Sequence, residues 1–307
     1  MPEGVVMPSS LAAAGPRRTW RDLWTLCKPR VVAVMLVCAL VGMLLARPLP
    51  APAAIGFGLL GIALAAGGAA AFNHVLDRRL DALMRRTARR PLASRRLPTP
   101  LALGWATLLS VAGIGLLFWR VNALTAWLTL ASLLGYALVY TAFLKRATPQ
   151  NIVIGGVAGA APPMLGWTAV TGQLGPEPLL LMLIVFAWTP PHFWALALHK
   201  RDEYARAGVP MLPVTHGPAF TRLQVWLYGW LTVAVSLLPF VIGMSGALYL
   251  VGVMALNARF MLWNARVWRG RDPRAPLAAF RFSIHYILGV FGVLLADHYL
   301  SSWPLGG

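Results

Sequence analysis

The sequence predicts an all-α integral membrane protein, a bundle of nine transmembrane helices, on three observations. First, 58% of its 307 residues are hydrophobic and 12% are charged, with a mean hydropathy of +0.67. Soluble domains average about 45–50% apolar and about 25% charged. Second, the apolar residues fall in continuous blocks of roughly 20, the length that crosses a hydrocarbon core of about 30 Å. Third, the basic residues alternate with those blocks, so that 25 of the 27 Lys and Arg fall on one side.

Spans are expected near 31–46, 54–76, 101–119, 122–143, 150–171, 178–199, 223–243, 246–264 and 282–300. The blocks are continuously apolar and do not alternate, which excludes a closed β-barrel. Nine spans leave no room for a separate soluble domain. Residues 29–301 read as one transmembrane unit, residues 1–28 as a disordered cytoplasmic tail and 302–307 as a short outer tail. Met1–Gly15 is polar and rich in small residues, and no small-residue cleavage pattern follows the first block, so the start does not read as a secretory signal. Cys27 and Cys38 have neither metal-binding spacing nor a disulfide framework.

Translocation disfavours Lys and Arg, so the charge split puts the N-terminus in the cytoplasm and the C-terminus outside. Only Arg47 and Arg120 fall on the outer side. The net charge of +18 then lies wholly on the cytoplasmic face, where topology explains it without nucleic acid. The lipid bilayer is the partner this charge implies.

Span two ends in Asn73, Asp77 and Asp81, spaced four apart and hence on one helical face. Stacked carboxylates repel, and a cation beside them relieves that. Mg²⁺ suits such a place because it takes one or two carboxylates together with substrate phosphates. Arg85, Arg86, Arg89 and Arg90 follow, and guanidinium groups match phosphate oxygens bidentately. The pattern reads as a diphosphate site or, alternatively, as a helix end with ordinary surface ion pairs. A second acidic pair, Asp202 and Glu203, follows span six on the same side, either as a second part of that site or as a water-facing loop. Pro162-Pro163 and Pro190-Pro191 interrupt spans five and six, which membranes tolerate where a helix faces protein or a cavity. His192 follows the second pair and is a candidate ligand or proton carrier; His74, His199 and His216 sit at the membrane boundary.

Asn73-x-x-x-Asp77-x-x-x-Asp81 resembles the first aspartate-rich motif of the UbiA superfamily of intramembrane prenyltransferases. The string from Asp81 to Leu92 is similar to its protohaem IX farnesyltransferase (haem O synthase) branch. So are Lys28-Pro29-Arg30, Tyr140-Thr141, Leu144-Lys145-Arg146, Gln150 to Pro163, Trp188 to Ala197 and Asp202 to Val214. The resemblance implies a UbiA-type fold in the bacterial inner membrane with a cytoplasmic-side active site. It implies transfer of farnesyl from farnesyl diphosphate to the 2-vinyl group of haem b, with addition of water, giving haem O and diphosphate. It further implies Mg²⁺ on Asn73, Asp77, Asp81, Asp202 and Glu203, and diphosphate on Asn73, Arg86, Arg90, Lys145 and Arg146. Asp77, Asp81, Asp202, Arg86 and Lys145 would then be catalytic and His192 would contact haem. Haem A synthase or terminal oxidase subunits are the implied protein partners.

The chain departs from the family pattern at two points. Arg206 stands where many members have a second Asp-x-x-x-Asp, and Glu203 replaces an aspartate. Rival readings are a superfamily member acting on a quinone precursor or chlorin, a secondary transporter, and a non-catalytic oxidase-assembly protein. A transporter would place its acids near the midplane. Here seven of the nine fall on the cytoplasmic side, with Glu177 and Asp297 at the outer ends.

Overall fold

The structure, a computed structural model, describes residues 16–84 and 87–301. Each of the nine apolar stretches is helical. They form α2 (Pro29–Leu45), α3 (Pro52–Leu83), α4 (Thr99–Arg120) and α5 (Ala123–Leu134), which continues as a π-helical segment over Gly135–Leu144. After the short turn α6 (Lys145–Ala147) come α7 (Asn151–Ala160) and α8 (Pro162–Thr171), one rod broken at Ala161-Pro162. Then follow α9 (Pro176–His199), the short α10 (Arg201–Arg206) and α11 (Leu212–Thr215), α12 (Gly217–Val241), α13 (Ala247–Arg269) and α14 (Ala275–Ser301).

Seven of these rods are long and apolar enough to cross a membrane alone. α2, of 17 residues, qualifies together with the helix before it, from which it is bent by 45°. α13 is the most polar, carrying Asn257, Arg259, Asn264, Arg266 and Arg269 along its second half.

The helix before α2 corrects one expectation. Part of the 1–28 tail is ordered: α1 (Pro16–Leu26) begins at Pro16 and buries Leu23 and Leu26 against Ala71, Val75, Leu97 and Ala102. Trp20 and Trp24 stay exposed on its other face, and Arg96 pairs with the buried Asp22 at 3.4 Å. The sequence reading took the arginines of this segment for a solvated tail and missed its apolar stripe. Met1–Gly15 and 302–307 lie outside the described residues.

Two seams hold the bundle together. Between α2 and α8 the backbones touch: a Cβ on Gly42 would run into the Pro163 carbonyl, and one on Gly166 into the Ala39 carbonyl. Between α3 and α4, a Cβ on Gly113 would sit 2.6 Å from the Ala65 nitrogen. Close backbone approach through small residues substitutes for the hydrophobic effect, which lipid does not supply between helices. The second half packs around Tyr249, Phe260, Tyr286 and Phe291, all essentially fully buried. At the outer end, Asp297 accepts from the Gly246 and Tyr249 amides (2.6 and 3.1 Å) and so caps α13.

Candidate active site

Asn73, Asp77 and Asp81 share one face at the end of α3, and all three are at least 95% buried. Asn73 and Asp77 are tied to distant parts of the chain, and Asp81 to the segment that follows its own helix. Lys28 donates to Asn73 Oδ1 at 2.5 Å, and Asn73 Nδ2 donates to Asp77 Oδ2 (2.8 Å) and Thr141 Oγ1 (3.2 Å). Lys145 Nζ reaches the same Asp77 Oδ2 at 2.6 Å. Arg90 NH1 donates to both oxygens of Asp81, at 2.9 and 2.8 Å. A hydrogen-bonded chain, Lys28–Asn73–Asp77–Lys145, with the Asp77 carboxylate between two ammonium groups and the Asn73 amide as a relay, therefore lies beside the Asp81–Arg90 pair.

Local structure explains why these groups meet. Lys28 occupies the break between α1 and α2, with a left-handed φ of 48°, and Pro29 starts the next helix. That break aims its side chain at α3. On the other side, the wide turns of the π-helical segment carry Thr141 to Asn73 and deliver Lys145 to Asp77. Its Thr141 hydroxyl donates to the Tyr136 carbonyl five residues back (2.8 Å), and Tyr136 stacks on Tyr140 at 5.6 Å. π-Turns inside α-helices occur often at functional sites.

Below this cluster opens a cavity of about 560 Å³ between the two halves of the bundle. Lys28 and Arg30 line its mouth, Tyr136 and Tyr140 one wall, and Trp188 and His192 another. The remaining lining is mostly aliphatic, glycine and proline, with Phe193 and Phe280. Pro162 and Pro163 line it, as does Thr189, just before Pro190, so both proline breaks lie against the cavity.

The second acidic pair lies on the same end. Tyr204 and Ala207 on and after α10 join Leu80 of α3 and Met84 just after it in one hydrophobic cluster. Asp202 itself is exposed, and Glu203 accepts from Lys200 at 2.8 Å. Among the described residues, no three His, Cys, Asp or Glu side chains are gathered closely enough to hold a metal between them. Arg86 lies outside the described residues, as does the side chain of Arg146. His74 is buried beside Asn73, away from the cavity, while His199 and His216 are exposed.

The oxygen set still fits a divalent cation shared with a phosphate ligand. Asp77 Oδ1 is fully buried and has no hydrogen-bond partner among the described residues, although its twin Oδ2 has two. A buried carboxylate oxygen without a partner is costly unless something positive meets it. Lys28, Thr141 and Tyr136 are members of this site that residue chemistry alone did not single out. The visible signal was Lys28 standing directly before a helix-starting proline.

Residues 35–300 match the UbiA prenyltransferase family. The protoheme IX farnesyltransferase 1 of Pseudomonas fluorescens is 60% identical over 93% of this chain and 95% of its own length. The protoheme IX farnesyltransferase of Azotobacter vinelandii is 58% identical over 96% and 99%. Among solved structures, a digeranylgeranylglyceryl phosphate synthase superposes with a TM-score of 0.77 at 15% identity, covering 91% of this chain and 98% of that one. A UbiA homologue from Archaeoglobus fulgidus bound to DMAPP and Mg²⁺ superposes with a TM-score of 0.64 at 16% identity, covering 89% and 99%. The nine-rod bundle, its charged rim and its match over nearly the whole length lead to one conclusion: the chain belongs to the UbiA prenyltransferase family.

Proposed function

We propose that this membrane prenyltransferase is a haem O synthase, transferring farnesyl from farnesyl diphosphate to the 2-vinyl group of haem b with addition of water. The observation that carries the reading is the junction of a buried charge cluster with an apolar, aromatic-walled cavity. The first suits a diphosphate and the second suits a C15 chain beside a flat tetrapyrrole. Near-full-length identity of about 60% to proteins named for this activity supports the choice of acceptor.

Asn73, Asp77 and Asp81 would hold Mg²⁺, with Asp202 or Glu203 approaching from α10. The ion would supply Lewis-acid stabilisation of the leaving diphosphate. Lys28, Lys145 and Arg90, with Arg86 and Arg146, neutralise the charge that develops as the allylic C–O bond breaks. Carboxylate pairing holds Lys145 and Arg90 at the rim before substrate arrives, so little reorganisation is needed. The cavity wall keeps water from the allylic cation until the vinyl carbon has attacked it. Water then adds to the carbon next to the ring and loses a proton, giving the hydroxyl of haem O. His192 contacts the haem, and the cytoplasmic face of the bacterial inner membrane supplies both substrates.

The test is to incubate the purified protein with haem b, farnesyl diphosphate and Mg²⁺ and identify the product by mass. Haem O and diphosphate in equal amounts are expected. A folded protein that prenylates a quinone precursor or chlorin in preference to haem b would overturn the choice of acceptor.

A further inference from the structure

Ser283 of α14 faces His192 on the neighbouring α9, and its contacts fix the state of that histidine. Ser283 Oγ lies 2.7 Å from the Phe280 carbonyl oxygen and 2.6 Å from His192 Nδ1. A hydroxyl carries one proton and a carbonyl carries none. The Ser283 proton must therefore lie on the line to Phe280, because two bare oxygens do not approach to that distance. The proton between Oγ and Nδ1 must then belong to the imidazole. Neutral His192 is consequently the Nδ1–H tautomer, with its lone pair on Nε2.

The ring is also held against rotation. Trp188 stacks on it at 4.2 Å between centroids and Phe280 at 4.5 Å, with interplanar angles of 23° and 27°. Trp188 is itself anchored, since its Nε1 donates to the Ser283 carbonyl at 2.8 Å. With both faces covered and the Nδ1 edge closed by Ser283, the edge left for the cavity is the one bearing Nε2. No other histidine lines that cavity.

We propose that Ser283 is a positioning residue that presents His192 Nε2 as an axial ligand to the central metal of the tetrapyrrole substrate. Metal-ligating histidines almost always donate their other N–H to a fixed acceptor, which sets tautomer and ring orientation. Axial ligation places the macrocycle plane across the Nε2 direction and so fixes its height and tilt in the cavity, leaving the cavity wall to set which edge meets the prenyl carbon. The proposal rests on the haem b reading above and adds to it the atom that holds the acceptor.

The test titrates the purified full-length protein with ferric haem b and, in parallel, with metal-free protoporphyrin IX. Absorption and electron paramagnetic resonance are recorded. Wild-type protein is expected to give the spectrum of nitrogen-ligated haem. His192→Ala should lose that spectrum and regain it with added imidazole, which fits the slot between Trp188 and Phe280. Ser283→Ala should weaken haem binding roughly 10-fold, the scale of losing a partner behind a metal ligand. It should leave protoporphyrin binding unchanged, a control that also reports folding. A His192→Ala protein with an unaltered haem spectrum overturns the proposal, as does a Ser283→Ala protein with unaltered haem affinity. Turnover separates the two readings. Haem O formed with a His192-independent spectrum removes the ligation and leaves the activity standing. A His192-ligated haem never prenylated by an active preparation removes the activity and leaves the ligation standing.

Discussion

Lys145 Nζ sits 2.6 Å from Asp77 Oδ2 although 68 positions of chain separate them, and the Asp77 side chain is only 1% exposed. The pair bridges α3 and the end of the π-helical segment, and it leaves Asp77 Oδ1 buried without a partner among the described residues. Breaking a buried pair by removing one member costs about 3–5 kcal/mol, because the other charge is stranded. Lys145→Met is therefore expected to lower the unfolding temperature in detergent. Asp77→Asn should be milder, since its amide oxygen still accepts from Lys145. In turnover the order differs. Asp77→Asn should lose activity on the order of 100-fold, as losing one preorganised charge-stabilising group does. Thermal scans and product assays on the same two variants decide both points.

Chelation should separate folding from chemistry. Asp77 and Asp81 already have cationic partners in Lys145 and Arg90, so the bundle does not depend on a metal for charge balance. Excess chelator is expected to abolish haem O formation and leave the unfolding temperature unchanged, with activity returning on addition of Mg²⁺. A drop of several degrees on chelation would show that a metal is part of the fold.

The α2–α8 seam makes a prediction about stability alone. Gly42→Ala or Gly166→Ala forces two backbones apart, which typically costs 1–3 kcal/mol for an overpacked methyl, or about that here. Gly104 of α4 has open space where its Cβ would be, so Gly104→Ala should be neutral or slightly stabilising, as alanine is the better helix former. Equal unfolding temperatures for all three variants would refute the close approach.

Gly155 of α7 lies under the Tyr140 ring, where an added methyl has no room. Gly155→Ala must push that ring into the cavity it lines. Turnover is expected to fall on the order of 10- to 100-fold, the scale of an ångström-sized misplacement. Unfolding temperature should change little, because the cavity side can take the displaced ring. A turnover equal to wild type would mean that Tyr140 does not face bound substrate.

Much of this architecture was legible in the residues themselves. Continuous apolar blocks located all nine rods, because a membrane demands length and hydropathy and little else. The four-residue spacing of Asn73, Asp77 and Asp81 placed them on one face for the same geometric reason any helix does. What the sequence withheld were features set by packing. The helical Pro16–Leu26 was hidden by its arginines, and the π-helical turns over Gly135–Leu144 leave no composition signal. Ser283 is one serine in an apolar helix, and its relation to His192 exists only once α9 and α14 lie side by side. Asp202 stands exposed at the rim, one of the two placements its sequence left open, because α10 anchors through Tyr204 and turns Asp202 outward.

The wide turns of Gly135–Leu144 also fix the direction in which the chain leaves that rod. A π-turn holds one residue more than the α-turn it replaces. Rewound at 3.6 residues per turn, the same 10 residues would gain roughly half a turn, while every apolar position remained acceptable to lipid. Lys145 would then emerge on a different side of the rod from Asp77. A change of winding invisible to hydropathy, and harmless to insertion in the membrane, would thus uncouple the two charges that close the rim of the site.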